Sequence, residues 1–353
     1  MTLPGGVYAQ SYDEDQAFLR TRSQWCWFIG FMIFLFTLPL FGGGRVLGIM
    51  NVIGITVIAV VGLQINFGYA GQINMGQSAF MGVGAYTAGA LTLHLNLPIW
   101  VTLPVAGISA AFFGTVFGLA AVRVKHFYLA LTTMAAQFIF CFVMLKLPKR
   151  WFGQIEGLRL APISFMGFEF DTDRRMYYLI FIIAVLMIYG AWSLVRSKTG
   201  RALVAVRDNG NAADIIGIDV VYHKFLSFFI GAFYAGIAGA LWGYYVRFVS
   251  AEQFTLWISV WYLGMLVVGG RGSILGAIIG TVFLRLLQEF ISYLGPRLIS
   301  IDLLSGIGEQ IVFASMNMLL GGVIILFIIF EPRGLVHRWN IIKESYRIWP
   351  FPY

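Results

Sequence analysis

Long apolar runs alternate with short polar breaks along most of this chain, and most of these runs have the length of a membrane-spanning helix. A helix rises about 1.5 Å per residue, so about 20 apolar residues cross a hydrocarbon core. The runs predict an all-α, polytopic membrane protein with about ten transmembrane helices, at residues 25–41, 46–66, 80–96, 99–122, 127–147, 176–195, 225–248, 254–270, 274–294 and 311–330.

The composition supports the membrane interpretation. Hydrophobic residues make up 59% of the chain and charged residues 11%, and the mean hydropathy is +0.82. A soluble protein of this length needs more charge to cover its surface. Glycine is abundant at 41 residues and falls inside the apolar runs, where small residues let helix backbones approach one another. Lipid is therefore an expected partner of this chain.

Polar stretches and the Lys/Arg distribution divide the chain and orient it. Lys and Arg collect on the cytoplasmic side of membrane proteins, and the basic C-terminal tail, which includes Arg333 and Arg338, indicates that both termini are cytoplasmic. The net charge is +8, but the basic residues form no stripe interleaved with aromatic residues, so no nucleic-acid partner is expected. The predicted divisions are a cytoplasmic N-terminal segment 1–24, a transmembrane domain 25–335 with an external loop 148–175 and a cytoplasmic loop 196–224, and a cytoplasmic tail 336–353.

One stretch inside the membrane is broken by glycines near 67–80 and carries uncharged polar side chains. Non-helical backbone at membrane depth survives only where protein or a water-filled cavity satisfies its polar groups. Amides and a phenol hydrogen-bond a polar solute without the desolvation cost of an ion. The stretch is thus a candidate substrate pathway or, alternatively, an ordinary polar turn. The candidate pathway residues are Gln64, Asn66, Tyr69, Gln72, Asn74, Gln77, Ser78 and Thr87.

The cytoplasmic loop contains a short helix with marked ends. Asn211 is the predicted N-cap, Asp214 lies near the positive helix end, and Gly217 is placed at the C′ position. A small apolar helix displayed on such a loop either docks on a partner or lies against the bilayer or the protein's own spans. The candidate docking residues are Arg207, Asp208, Ala212, Ala213, Asp214, Ile215, Ile216 and Gly217.

Signals for catalysis are weak throughout the sequence. No paired carboxylates, His-rich ligand set, nucleophile motif or phosphate-binding loop is recognisable, so we expect neither an enzyme nor a bound metal or cofactor. Ion-coupled carriers need ionisable groups within their spans. Arg285 and Glu289 lie four residues apart in the ninth span. They predict a structural ion pair, with a proton relay as the alternative.

Five ordered blocks, which cover the chain from about residue 45 to 338, resemble LivM-type permeases of bacterial branched-chain amino acid ABC importers. The longest is GYAGQINMGQSAFMGVGAYTAG at 68–89. The others are GRALVAVRDN with AADIIGI (200–209 and 212–218), FVSAEQFT (248–255), VVGGRGSILGAIIG (267–280) and FEPRGL (330–335).

This resemblance implies a non-catalytic permease subunit of an inner-membrane importer. Its implied partners are a homologous H-type permease, two cytoplasmic ATP-binding subunits that hydrolyse ATP, and a periplasmic substrate-binding protein. Ala212, Ala213 and Gly217 keep the Ala-Ala-x-x-x-Gly core of the coupling motif, whereas Gly210 replaces a customary Glu. The implied substrates are branched-chain or related amino acids. The alternatives are urea, short amides or aromatic acids in the same family, and a secondary transporter driven by ions.

Overall fold

A computed structural model describes residues 22–123, 127–165, 168–299 and 309–348. These residues are overwhelmingly helical, and the all-α prediction is confirmed. The helices are α1 (Arg22–Phe41), α2 (Gly44–Leu63), α3 (Gln77–Leu95), α4 (Ile99–Arg123), α5 (Phe127–Lys146), α6 (Lys149–Phe152), α7 (Asp173–Arg196), α8 (Lys198–Asp208), α9 (Gly210–Ile215), α10 (Val220–Val246), α11 (Leu256–Gly269), α12 (Ile274–Ile299), α13 (Glu309–Phe330) and α14 (Leu335–Ile348).

A helix lies at each of the ten predicted spans. Among the described residues, seven helices are long and apolar enough to cross a membrane, namely α2 with its continuation to Tyr69, α4, α5, α7, α10, α11 with the turn before it, and α12. Shorter apolar stretches in α1 and α13 lie at the predicted spans 25–41 and 311–330. Helix α3 lies at the predicted span 80–96. The predicted segment 1–24 lies almost wholly outside the described residues.

The centre of the bundle is α10, which packs against α4, α3 and α2. Small residues make these contacts close. A Cβ at Gly84 of α3 would collide with the backbone of Gly236 in α10, and a Cβ at Gly239 would collide with the backbone of Met81. Helices that approach to backbone contact gain van der Waals packing in lipid, where hydrophobic burial supplies little. The glycines scattered through the apolar runs therefore position the inner helices.

The segment 148–175, which was predicted to be an external loop, contains only short elements where the structure describes it. It contains α6, a 3-10 turn at Gln154–Glu156 and three two-residue strands, β1 (Leu158–Arg159), β2 (Ser164–Phe165) and β3 (Phe168–Glu169). Strand β1 pairs antiparallel with β4 (Phe248–Val249), and β2 pairs antiparallel with β3. The β1–β4 pair joins this loop to the end of α10. It also holds the chain segment that leads into α11.

Candidate functional site

The glycine-broken stretch interrupts a span by changing the type of helix. Helix α2 continues as a π-helix over Gln64–Tyr69, in which the Ala70 amide donates to the Ile65 carbonyl at 3.1 Å. Residues 70–76 follow without regular structure, and Gly71 has a φ of +69° that favours glycine. Helix α3 then begins at Gln77. Short π-helical turns are rare and occur often at functional sites.

The irregular segment 70–76 turns back into the bundle. The Gln77 side-chain amide donates to the Ala59 carbonyl at 2.8 Å, and Ala59 lies ten residues before Tyr69 along α2. At about 1.5 Å per helical residue, the chain returns roughly 15 Å from the end of the π-helix before α3 begins. Helix α3 thus starts inside the protein rather than at its surface.

Most of the predicted pathway amides cross-link the elements around this segment. The Gln64 Nε2 donates to the carbonyl of Ser273 at 3.0 Å and to that of Gly270 at 3.3 Å. The Asn74 Nδ2 donates to Gln77 Oε1 at 3.0 Å. The Gln64 bonds join the π-helix to the turn between α11 and α12, and the Asn74 bond joins the irregular segment to α3. The amides therefore stabilise the broken segment, whatever else they contact.

Several polar atoms of this segment have no partner among the described residues. They are both side-chain atoms of Asn66, Gln64 Oε1, Gln72 Nε2 and Ser78 Oγ, and all are buried. Gln72 Oε1 accepts from the Ser227 hydroxyl of α10 at 3.1 Å, and the Tyr69 side chain is also buried. Unpaired amide atoms in the interior retain the capacity to bind a polar solute. Their role in a pathway stays a prediction.

Thr87 stands apart from the other predicted pathway residues. Its hydroxyl donates to the Val83 carbonyl one turn earlier and accepts from the Ser109 hydroxyl of α4 at 3.0 Å. The structure therefore brings seven of the eight predicted residues to the broken segment and its ends. Thr87 lies farther along α3, at the contact with α4.

Three polar partners of this region, Thr133, Ser259 and Ser227, were not predicted from the sequence. Thr133 Oγ1 accepts from the Met75 amide at 3.0 Å, and Ser259 Oγ accepts from the Ser78 amide at 2.9 Å. Ser227 and Gln137 are likewise buried polar residues. The available signal was an isolated polar residue inside an apolar span, which by itself does not reveal a distant partner.

A second helix, α11, also begins inside the bundle. The Gln137 side-chain amide, near the middle of α5, donates to the Phe254 carbonyl just before α11. The bond between the Ser78 amide and Ser259 joins the first turn of α3 to the first turns of α11. Interrupted helices that start within the membrane are a recurring way to build transport sites.

The candidate coupling loop folds as two helices in tandem, α8 and α9. The predicted N-cap Asn211 is wrong, because the Asn209 side chain accepts from the amides of Asn211 and Ala212 at 3.1 Å. Helix α9 begins two residues earlier than predicted as a result. Its C-terminus agrees with the prediction, because Gly217 has a φ of +85°. The Ile218 amide donates to the Ala213 carbonyl at 2.9 Å, which completes a Schellman motif.

Helix α9 displays an apolar knob. Ile215 is 86% exposed and Ile216 is 72% exposed, whereas Ala213 faces inward with 2% exposure. Ala212, Asp214 and Gly217 are exposed beside them. An adjacent pair of exposed isoleucines on a six-residue helix has the form of a docking surface. The loop therefore combines a rigid backbone, fixed at both ends, with an unburied apolar tip.

Arg207 connects this loop to the broken span. Its Nη1 donates to the Gly68 carbonyl in the π-helix at 2.8 Å, and its Nε donates to Asp208, which is exposed, at 2.9 Å. A Cβ at Gly71 would lie 2.7 Å from Cγ of Arg207. A cavity of about 750 Å³ lies between this loop and residues 70–72. Arg207 thus joins the end of α8 to the π-helix that continues α2.

The predicted ion pair between Arg285 and Glu289 is wrong. Arg285 donates to Gln288 Oε1 at 3.2 Å and to Thr56 Oγ1 of α2 at 3.1 Å. Glu289 lies 3.9 Å from Arg45, in an exposed pair. Arg45 begins α2, and its approach to Glu289 depends on how α2 and α12 pack. Spacing within one helix cannot reveal such a partner.

These features define the class. A bundle of apolar helices, two of which begin inside it, together with a short helix that displays two isoleucines beside a broken span, is an arrangement typical of a membrane permease. The family model for the permease component of branched-chain amino acid transport systems matches residues 45–329. The chain belongs to this family of multi-pass membrane permeases, and the resemblance found in its sequence is confirmed.

Three relatives illustrate the similarity. The high-affinity branched-chain amino acid transport system permease protein LivM of Escherichia coli is 29% identical, over 82% of this chain and 70% of its own. LivM of Salmonella typhimurium is also 29% identical, over 80% and 68%. The probable LivM of Methanocaldococcus jannaschii is 25% identical, over 82% and 92%. No solved structure matches the chain significantly.

Proposed function

We propose that this chain is the permease subunit of an inner-membrane ABC importer that moves branched-chain or related amino acids. The observation that carries the proposal is the coupling loop, with its exposed isoleucines and its arginine tether to the broken span. Family membership supports the same role. The subunit itself is non-catalytic, and ATP is hydrolysed by partner subunits.

The proposed partners follow from the family resemblance, and the exposed tip of α9 supports one of them. Two cytoplasmic ATPases bind the importer, one of them on α9 of this chain. A homologous H-type permease completes the membrane part, and a periplasmic binding protein delivers the substrate to the side that carries the external loop 148–175. In this arrangement both termini are cytoplasmic, which agrees with the basic residues of α14.

The proposed mechanism is alternating access. ATP binding draws the ATPases together and moves α9, and the hydrogen bond from Arg207 to Gly68 transmits this movement to the π-helix. The end of α2 and the segment 70–76 then shift relative to α3. Gly68 lies against the side chain of Gln64, and Gly71 lies against the side chain of Arg207. The segment therefore moves as one packed unit.

The test replaces the apolar tip with charge. Ile215→Asp combined with Ile216→Asp places two carboxylates where a groove of the ATPase is expected. Burying one isoleucine contributes about 1.5–3 kcal/mol, so losing two predicts at least a 100-fold weaker association. Because both side chains are exposed, the variant should insert and fold normally. The measurement is the amount of ATPase that co-purifies with the tagged chain from its native membrane.

The matched control is Ile215→Leu with Ile216→Leu, which keeps the tip apolar and should retain the ATPase. A double aspartate variant that retains both the ATPase and ATP-dependent uptake would refute the coupling assignment.

A further inference from the structure

A cavity of about 230 Å³, whose lining includes no residue of the irregular segment 70–76, lies between α3, α10, α11 and α12. Its volume equals that of about eight water molecules at ~30 Å³ each, which suits one small amino acid. The bulky apolar part of its lining comes from Trp242, Phe254, Trp257 and Ile258. Aromatic and aliphatic walls favour a ligand with an apolar side chain.

The same cavity has a cationic component. Arg285 lines it and lies near the middle of the span Ile274–Tyr293. Among the described residues, no carboxylate forms an ion pair with this guanidinium, and its Nε is a buried atom without a partner. A buried charge within a membrane is costly unless it is paired, and such residues mark substrate paths in transport proteins. The guanidinium is therefore placed to pair with an anion from outside the chain.

Helix α11 adds a second positive element at this cavity. Its N-cap, Thr255, makes no side-chain capping bond, and Phe254, Trp257 and Ile258 at the start of the helix line the cavity. The Ile258 amide donates to the Thr255 carbonyl, and the helix dipole favours a negative group at such an end. This positive end is independent of Arg285, which belongs to another helix.

Further unpaired polar atoms lie on residues that line the same cavity. Gln253 Oε1 and Trp261 Nε1 are buried and have no partner among the described residues. Gln253 Oε1 is an acceptor and suits an ammonium group, whereas Trp261 Nε1 and Arg285 Nε are donors and suit a carboxylate. Donors, an acceptor and apolar walls therefore surround one volume of the size of an amino acid.

We propose that this cavity is a binding site for the zwitterionic head group and apolar side chain of a free α-amino acid, with Arg285 pairing with its carboxylate. The proposal rests on the proposed permease function and makes its substrate class more specific. Urea and uncharged amides lack the carboxylate that Arg285 requires. They are consequently not expected to bind here.

The test measures binding to the purified complex directly, because the binding protein dominates selectivity in uptake assays. Leucine, valine and phenylalanine are added at millimolar concentrations, and the thermal stabilisation of the detergent-solubilised complex is recorded. Leucinamide serves as the probe that lacks the carboxylate. The expected result is stabilisation by at least one of the three acids and none by leucinamide. In Arg285→Gln the half-maximal concentration should rise at least about 30-fold, since removal of one member of a buried charge pair is costly.

Two variants separate a binding role from a structural one. Arg45→Gln removes a cation that pairs with Glu289 of α12 but does not line the cavity. The thermal stabilisation of this variant by the amino acids should equal that of the native chain. Arg285→Lys keeps the charge and should bind leucine more tightly than Arg285→Gln, even if the glutamine variant is less stable.

The outcomes are distinct from those of the coupling test. A complex that contains ATPases and imports amino acids, but in which Arg285→Gln and Arg285→Lys bind leucine as well as the native chain, overturns this site and leaves the permease function intact. Absence of stabilisation by all three acids in the native complex also overturns it. A native complex that contains no ATPase instead refutes the proposed function.

Discussion

The tether between Arg207 and Gly68 gives the sharpest mechanical prediction. The guanidinium donates to a carbonyl of the π-helix at 2.8 Å, and its side chain is 34% exposed. A hydrogen bond from a charged donor contributes about 1.5–3 kcal/mol. Because the side chain is partly exposed, solvent screening places this bond near the lower figure, which corresponds to roughly a tenfold change in an equilibrium.

Arg207→Ala should therefore uncouple hydrolysis from transport. We expect the ATPases to remain bound, because Ile215 and Ile216 are unchanged, while amino acid uptake per ATP hydrolysed falls about tenfold. The assay measures ATP-driven uptake and phosphate release in the same proteoliposomes. Both quantities are needed, because a loss of uptake alone would not distinguish uncoupling from misfolding.

Arg201→Ala is the matched control, because Arg201 lies on the same helix and its Nη1 bonds the nearby Arg196 carbonyl at 3.2 Å. Its ratio of uptake to hydrolysis should equal that of the native chain. An unchanged ratio in Arg207→Ala would show that the tether does not transmit movement. Loss of the ATPase from this variant would contradict the reasoning in another way, since Arg207 would then be a docking residue.

Two further predictions concern the stability of the bundle. Gln77→Leu removes buried hydrogen bonds to two helices, and it should lower the free energy of unfolding by about 2 kcal/mol, measured as a lower melting temperature in detergent. Thr132→Ala, at a partly exposed position where the hydroxyl bonds the Tyr128 carbonyl of its own helix, should leave that temperature unchanged, and an equal effect of both variants would contradict the bonding role of Gln77. Gly84→Ala should cost about 1–3 kcal/mol because its methyl group collides with Gly236. Gly30→Ala, which meets no atom within 4 Å, should be neutral, and a native-like melting temperature for Gly84→Ala would refute the close α3–α10 contact.

The helical bundle could be predicted from sequence because membrane crossing imposes a length on each apolar run. The cluster of amides between Gln64 and Ser78 was visible for the same reason, since such residues are costly in lipid. Its geometry was not visible. The return of Gln77 to Ala59 depends on the π-helical turn and on Gly71, and apolar periodicity signals neither.

Spacing along one helix gave a wrong prediction where the true hydrogen-bond partner lies far away in the sequence. Arg285 and Glu289 have the spacing of a helical ion pair, yet Arg285 bonds Thr56, 229 residues away. The prediction of the N-cap of α9 was wrong for a different reason. Both Asn209 and Asn211 are good caps, and only the path of the chain out of α8 decides that Asn209 begins the helix.

The central claim is that this chain works as the permease of an ATP-driven importer. The most direct test purifies the tagged chain from its native membrane, identifies its partners by mass spectrometry and reconstitutes the complex for leucine uptake. The expected result is a homologous permease, two ATPase subunits per complex and uptake that requires ATP. A chain that purifies alone and moves solute with an ion gradient and no ATP would contradict the claim.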